Sequence, residues 1–122
     1  MIEKVVEPGM PSYIYQPTEH FLSRLEKIRG QDPRGYRRVR KVIDRLLENP
    51  ADSDGRMHGS HRDKFKKYVG RREYRILYYY CELCRKANLR LLEECRRCRT
   101  IPDNSVMFFD VFHKNEKAKL HY

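Results

Sequence analysis

The chain has 122 residues, which fits one domain with a single core and leaves room for no more than a small insert. Its 27 lysines and arginines against 17 aspartates and glutamates give a formal charge of +10, ranking polyanionic partners (nucleic acid, ribosome, acidic protein) above an acidic small-molecule substrate. No run approaches the roughly 18 apolar residues of a membrane span, and no apolar stretch follows a basic start, so no membrane partner is expected and the expected location is cytoplasmic.

Residues 1–11, with Pro8, Gly9 and Pro11, read as a loosely held lead-in, and Ser12 to Gln16 alternates as a short first strand. Thr18 then caps a helix in which Phe21, Leu22, Leu25 and Ile28 recur at helical spacing, with Gly30 as its end. Asp32-Pro33 starts a second helix, because proline at the first helical position gives up an N–H that has no partner anyway. Tyr36, Val39, Ile43, Leu46 and Leu47 form its apolar stripe, and Asn49-Pro50 stops it. Arg37, Arg38, Arg40, Lys41 and Arg45 line the other side, either as a solvated face or as a surface for an RNA backbone.

Ala51 to Asp63 lacks periodicity and reads as a loop, in which His58 and His61 are taken as exposed side chains rather than metal ligands. Phe65–Val69 and Tyr74–Tyr80 follow as a hairpin across Gly70, Arg71 and Arg72. Val106 to Phe112 is a last strand, apolar almost throughout and therefore central, and Asn115 to Tyr122 is a polar tail. The expected fold is α+β, in the order β-α-α-β-β-β: an antiparallel sheet with two helices packed on one face, forming one domain over 1–122.

Strand alternation assigns Tyr74, Ile76, Tyr78 and Tyr80 to the helix side, and Arg75, Leu77 and Tyr79 to an open side. In the last strand Met107, Phe109 and Val111 are expected under the helices, with Phe108, Asp110, Phe112 and Lys114 opposite. Lys66, Tyr68, Arg75, Tyr79, Asp110 and Lys114 thus gather on one face, where cations suit phosphates and rings suit unstacked bases. Lys67 points inward, which is tolerable only on an edge strand where its stem can snorkel.

Cys81-Glu-Leu-Cys84 and Cys95-Arg-Arg-Cys98 are two CxxC pairs separated by Arg85 to Glu94. In a reducing cytoplasm this spacing predicts one structural zinc on four thiolates, a closed site with no place for a catalytic water. The insert, 81–98, lies between the last two strands. Its Arg85, Lys86, Arg90, Arg96 and Arg97, with Arg99 just beyond, extend the expected RNA- or ribosome-facing surface.

Several motifs, in order, resemble the RelE/ParE superfamily of toxins from type II toxin–antitoxin systems. They are the Leu46-Leu47-Glu48-Asn49-Pro50 helix end, Met57-His58-Gly59, the Phe65 to Tyr78 run with Tyr74-Arg75-Ile76-Leu77-Tyr78, and Val111-Phe112-His113-Lys114. The stretch from Phe112 to Lys117 is most similar to the HigB-like branch. The resemblance implies a ribosome-dependent mRNA endonuclease working without a catalytic metal, partnered by a cognate antitoxin, the ribosome and mRNA. A ribose 2′-OH would attack the adjacent phosphate and so inhibit translation.

Carried onto this chain, the resemblance makes Arg75 the phosphate clamp, with Lys66 near the 2′-OH or the phosphate and Lys114 where a second arginine is usual. It makes Tyr122 or His121 the tail group that moves a proton, and His113 is the other acid–base candidate, since imidazole titrates nearest neutral pH. Tyr68, where many relatives carry a lysine, Tyr79, Arg71 and Arg72 are expected to contact RNA. Two other readings share these features: a ParE-like inhibitor of DNA gyrase, and a catalytically degenerate zinc-stabilised RNA- or protein-binding module.

Overall fold

A computed structural model describes residues 13–56, 64–81 and 101–116. The elements are β1 (Ile14–Pro17), α1 (Glu19–Gln31), α2 (Pro33–Glu48), β2 (Phe65–Val69), β3 (Tyr74–Tyr80) and β4 (Ser105–His113). Thr18 caps α1 as expected, its hydroxyl accepting from the Phe21 N–H at 3.1 Å. Asp32 ends α1 and caps α2, with Oδ1 accepting from the Gly35 N–H at 3.0 Å, so α1 runs past Gly30 to Gln31.

The sheet order is β1-β4-β3-β2. The three consecutive strands β2, β3 and β4 pair antiparallel, but β1 lies parallel to β4, so the sheet is mixed rather than wholly antiparallel. The physical reason is connectivity: short links enforce antiparallel neighbours, whereas both helices and the hairpin separate β1 from β4. β4 is central, as its apolar run implied.

α1 and α2 cover one face of this sheet. Phe21, Leu25 and Ile28 from α1, Val39, Val42, Ile43, Leu46 and Leu47 from α2, and Val69, Tyr74, Ile76, Tyr78, Val106, Phe108 and Val111 from the strands form one buried cluster. Each large apolar side chain taken from water here contributes about 1.5–3 kcal/mol before the entropy of ordering it is counted. Tyr78 also donates its hydroxyl to the Pro50 carbonyl at 2.7 Å, tying β3 to the chain leaving α2.

The pairing of β3 with β4 slips between Leu77 and Tyr78: Leu77 faces Asp110 while Tyr78 faces Phe108. Phe109 is the extra residue of a β-bulge, and it shifts the alternation along β4 by one. Val106 and Phe108 therefore join Val111 under the helices, and Met107 and Phe109 do not, reversing the expected assignment for the first half of the strand. Asp110, expected on the open face as an exposed charge, is 1% exposed and meets α1 instead. Its carboxylate lies 3.1 Å from His20 Nε2 and 3.5 Å from Arg24 Nε, so its burial is compensated by an arginine and an imidazole.

Lys67 points inward as expected, and β2 is indeed an edge strand. Its ammonium reaches Asp52 at 3.4 Å and Asp54 at 3.7 Å. The same loop covers the free edge of β2, with Asp54 N–H donating to the Lys66 carbonyl and Lys66 N–H donating to Gly55, at 2.8 and 2.9 Å. An edge paired in this way is closed to other strands.

Candidate active site

The face away from the helices is divided. Near Cys81 it is buried: Leu77 and Tyr79 are at most 1% exposed, and the Phe65 ring stacks on Tyr79 with centroids 4.9 Å apart. Tyr79 was expected as a platform for a base, but its ring is part of an aromatic stack with Phe65 and Tyr80 and is closed to ligand. The accessible chemistry lies at the other end of the hairpin.

There Tyr68 faces Arg75 across the β2–β3 ladder. The Tyr68 N–H donates to Asp54 Oδ2 at 2.7 Å, away from β3, so the two residues form a non-hydrogen-bonded pair, in which side chains approach most closely. Arg75 donates from Nη2 to the Tyr68 hydroxyl at 3.2 Å, and its guanidinium carbon stands 4.9 Å from the Tyr68 ring centre. Phe112, the partner of Arg75 on β4, supports it from the other side, its ring centre 6.0 Å from that carbon.

Two further cations meet the same phenol ring: the Arg72 guanidinium at 4.9 Å and the Lys66 ammonium at 5.7 Å. The turn makes this possible. Gly70 adopts φ +61°, which costs glycine nothing, and Arg72 adopts φ +64°, a left-handed conformation that costs an ordinary residue about 1–2 kcal/mol. Glu73 N–H closes the turn on the Val69 carbonyl at 3.1 Å, and the Glu73 carboxylate holds Arg38 of α2 at 2.8 Å.

Among the described residues, none of Lys66, Arg72 and Arg75 lies within ion-pair distance of a carboxylate, although their neighbours Arg38 and Lys67 do. Three cations around one ring, on a half-buried strand surface, make a positive patch that attracts anions by Coulomb attraction. Guanidinium forks add geometry, since each can contact two oxygens of one phosphate.

The remaining expected site residues distribute as follows. Arg71 is exposed in the turn, and Lys114 is exposed one residue beyond β4, its N–H donating to the Glu73 carbonyl at 2.9 Å. His113 pairs with Tyr74, a helix-side residue, and packs edge-on against its ring at 5.3 Å. It therefore lies on the opposite face from Arg75 and is withdrawn as an acid–base partner there. Beside it a cleft of about 430 Å³ is lined by Arg24, Lys27, Asp32, Tyr74, His113 and Glu116, among others.

His121 and Tyr122 lie outside the described residues, as do Cys84, Cys95 and Cys98 and the loop histidines His58 and His61. Cys81 is buried at the end of β3. Among the described residues no three His, Cys, Asp or Glu side chains are grouped as a metal centre, and no helix is long and apolar enough to cross a membrane. Sequence reasoning missed Asp54, which fixes the Tyr68 backbone. Its position in Asp52-Ser53-Asp54-Gly55, a turn-forming run, was the available signal.

A solved structure, the toxin–antitoxin complex RelBE2 from Mycobacterium tuberculosis, contains a chain of the same fold. The TM-score is 0.57 at 18% sequence identity, and the match covers 86% of this chain and 93% of that one. No protein-family model and no curated protein matches this chain. The likeness bears out the RelE-like α+β architecture that the sequence motifs implied.

Proposed function

We propose that this chain is the toxin of a toxin–antitoxin pair and acts as an endoribonuclease that cuts mRNA on the ribosome. The observation that carries this reading is the gathering of Arg75, Arg72 and Lys66 around Tyr68 with no carboxylate among the described residues to neutralise them. A site of this charge and shape receives a phosphodiester.

In the reaction, the 2′ oxygen bonds to phosphorus while the bond from phosphorus to the 5′ oxygen breaks. The 2′ proton passes to a base, and the departing 5′ oxygen takes one up. Negative charge grows on the non-bridging oxygens at the pentacovalent stage, and Arg75, pre-positioned by Tyr68 and Phe112, stabilises it without reorganising. Lys66 adds a second cation from the adjacent strand. Proton transfer is assigned to the tail, His121 and Tyr122, with Lys114 supplying charge at the end of β4.

The four cysteines, Cys81, Cys84, Cys95 and Cys98, hold a structural zinc that pins the segment joining β3 to β4, and the whole chain forms one domain with this insert. A cognate antitoxin is the expected protein partner. The deciding experiment adds the protein to ribosomes programmed with mRNA and maps cleavage by primer extension, with Arg75→Ala alongside. Cleavage that depends on Arg75 supports the reading. No cleavage, with inhibited gyrase supercoiling instead, replaces it with the ParE-like one.

A further inference from the structure

We propose that the hairpin end grips two consecutive phosphates of one unpaired RNA strand, Arg75 on one and Arg72 on the next, with Tyr68 as the positioning residue for both. This deepens the RNA-cutting reading and rests on it for the identity of the ligand.

Three observations converge on the pair. Arg72 occupies a left-handed position, φ +64°, where glycine or asparagine would be relaxed. Its guanidinium then stops 4.9 Å from the Tyr68 ring centre, the same distance as that of Arg75. Each of these arginines lacks a carboxylate among the described residues, whereas Arg38 beside the same turn is held by Glu73 at 2.8 Å.

Because both guanidinium carbons stand 4.9 Å from one ring centre, they lie within twice that distance of each other. Adjacent phosphates of a single strand can bridge such a gap. Tyr68 is well fitted to fix both: its hydroxyl accepts from Arg75 at 3.2 Å, its ring attracts both cations, and Asp54 holds its N–H at 2.7 Å. In-line attack by a 2′-OH requires the strand to leave A-form geometry, so the RNA entering the site is unpaired. Tyr68 acts here through the arginines and not as a surface on which a base stacks.

The test is equilibrium binding of a 2′-O-methyl hexauridylate, which lacks the attacking hydroxyl, over a salt series. On a single strand each phosphate contact adds about 0.7 to the slope of log K against log salt. Arg72→Gly relieves the left-handed backbone, so the variant should melt no lower than the wild type while its slope falls by about 0.7. Tyr68→Ala should lose about 1.4 by releasing both arginines, and Tyr68→Phe, keeping the ring, should lose affinity but little slope. An Arg72→Gly or Tyr68→Ala variant with the wild-type slope overturns the proposal, as does a wild type whose binding ignores salt. A wild type that shows these slopes yet leaves mRNA intact on ribosomes loses the nuclease reading and keeps the phosphate pair.

Discussion

Tyr74 donates its hydroxyl to Asp32 Oδ2 at 2.8 Å, joining the first residue of β3 to the aspartate that caps α2. Arg75 is the next residue, on the other face of the strand, so this contact anchors the backbone from which the Arg75 guanidinium projects. The Gly35 N–H, followed by the Tyr74 hydroxyl, holds the Asp32 carboxyl below the usual aspartate range. Burial and the facing Asp32 push the Tyr74 phenol up.

A pH dependence follows from Asp32. Its folded-state value is depressed, so its stabilisation is fully present above the unfolded value of about 3.9 and is lost as pH falls through the lower folded value. Asp32→Asn keeps a capping oxygen and removes the titration. The wild type should melt higher than Asp32→Asn at pH 6, and the gap should narrow steadily as pH falls below the unfolded value of about 3.9. A gap of constant size across that range would show that Asp32 adds nothing through its charge.

Gly35 sits under the same contact. A methyl group there would stand 2.7 Å from Tyr74 Cε2 and would also press on the Asp32 carboxylate. Gly35→Ala should therefore lower unfolding free energy by about 1–3 kcal/mol, although alanine in an open helix position would raise it. Urea denaturation reads the difference, and a gain in midpoint would refute the crowding.

Much of this was legible because local chemistry agreed with tertiary need. Thr18, Asp32 with Pro33, and Asn49 mark the helix bounds by capping, and Arg75 directly follows the helix-side Tyr74 in an unbulged strand, so its face could be placed from sequence alone. The bulge at Phe109 had no local signal, since phenylalanine fits a strand on either face, and one extra residue reversed the assignment of Phe108. Asp110 was misplaced for a related reason: its partners, His20 and Arg24, come from a helix some 90 residues earlier, beyond the reach of any periodicity. The cation cluster was only half visible, because a left-handed arginine at position 72 is not what a turn sequence announces.

Asp110 gives a third expectation. Its Oδ1 accepts from the Val111 N–H at 2.8 Å and faces His20 and Arg24 at the bulge. Asp110→Ala removes a buried partner and should cost about 3 kcal/mol, the low end for such pairs, because Arg24 keeps Glu116 at 3.2 Å. Asp110→Asn, which can still accept from Val111, should cost less. Equal stability of the alanine variant and the wild type in urea would show that the buried carboxylate is dispensable.

The zinc proposal has a direct chemical readout. Elemental analysis of protein purified without added metal should find about one zinc per chain. Cys81→Ser, at the buried end of β3, should lose that zinc and melt at a lower temperature than the wild type. Folded, fully active protein without metal would end this part of the reading.

Arg75 is the sharpest test of the site. On the proposed reading, Arg75→Ala deletes the guanidinium that meets the phosphate and should lower the cleavage rate on programmed ribosomes by about 100- to 1000-fold, the usual loss for one donor at a site of developing charge. Arg75→Lys separates charge from geometry. It keeps the cation but cannot contact two phosphate oxygens in a plane or lie against Tyr68 and Phe112 as the guanidinium does, at 4.9 and 6.0 Å. Its rate should fall between wild type and alanine, with the loss in kcat rather than KM, because the missing interaction strengthens only as charge develops. A lysine variant as fast as the wild type would reduce Arg75 to a positive charge, and an alanine variant as fast would remove it from the chemistry.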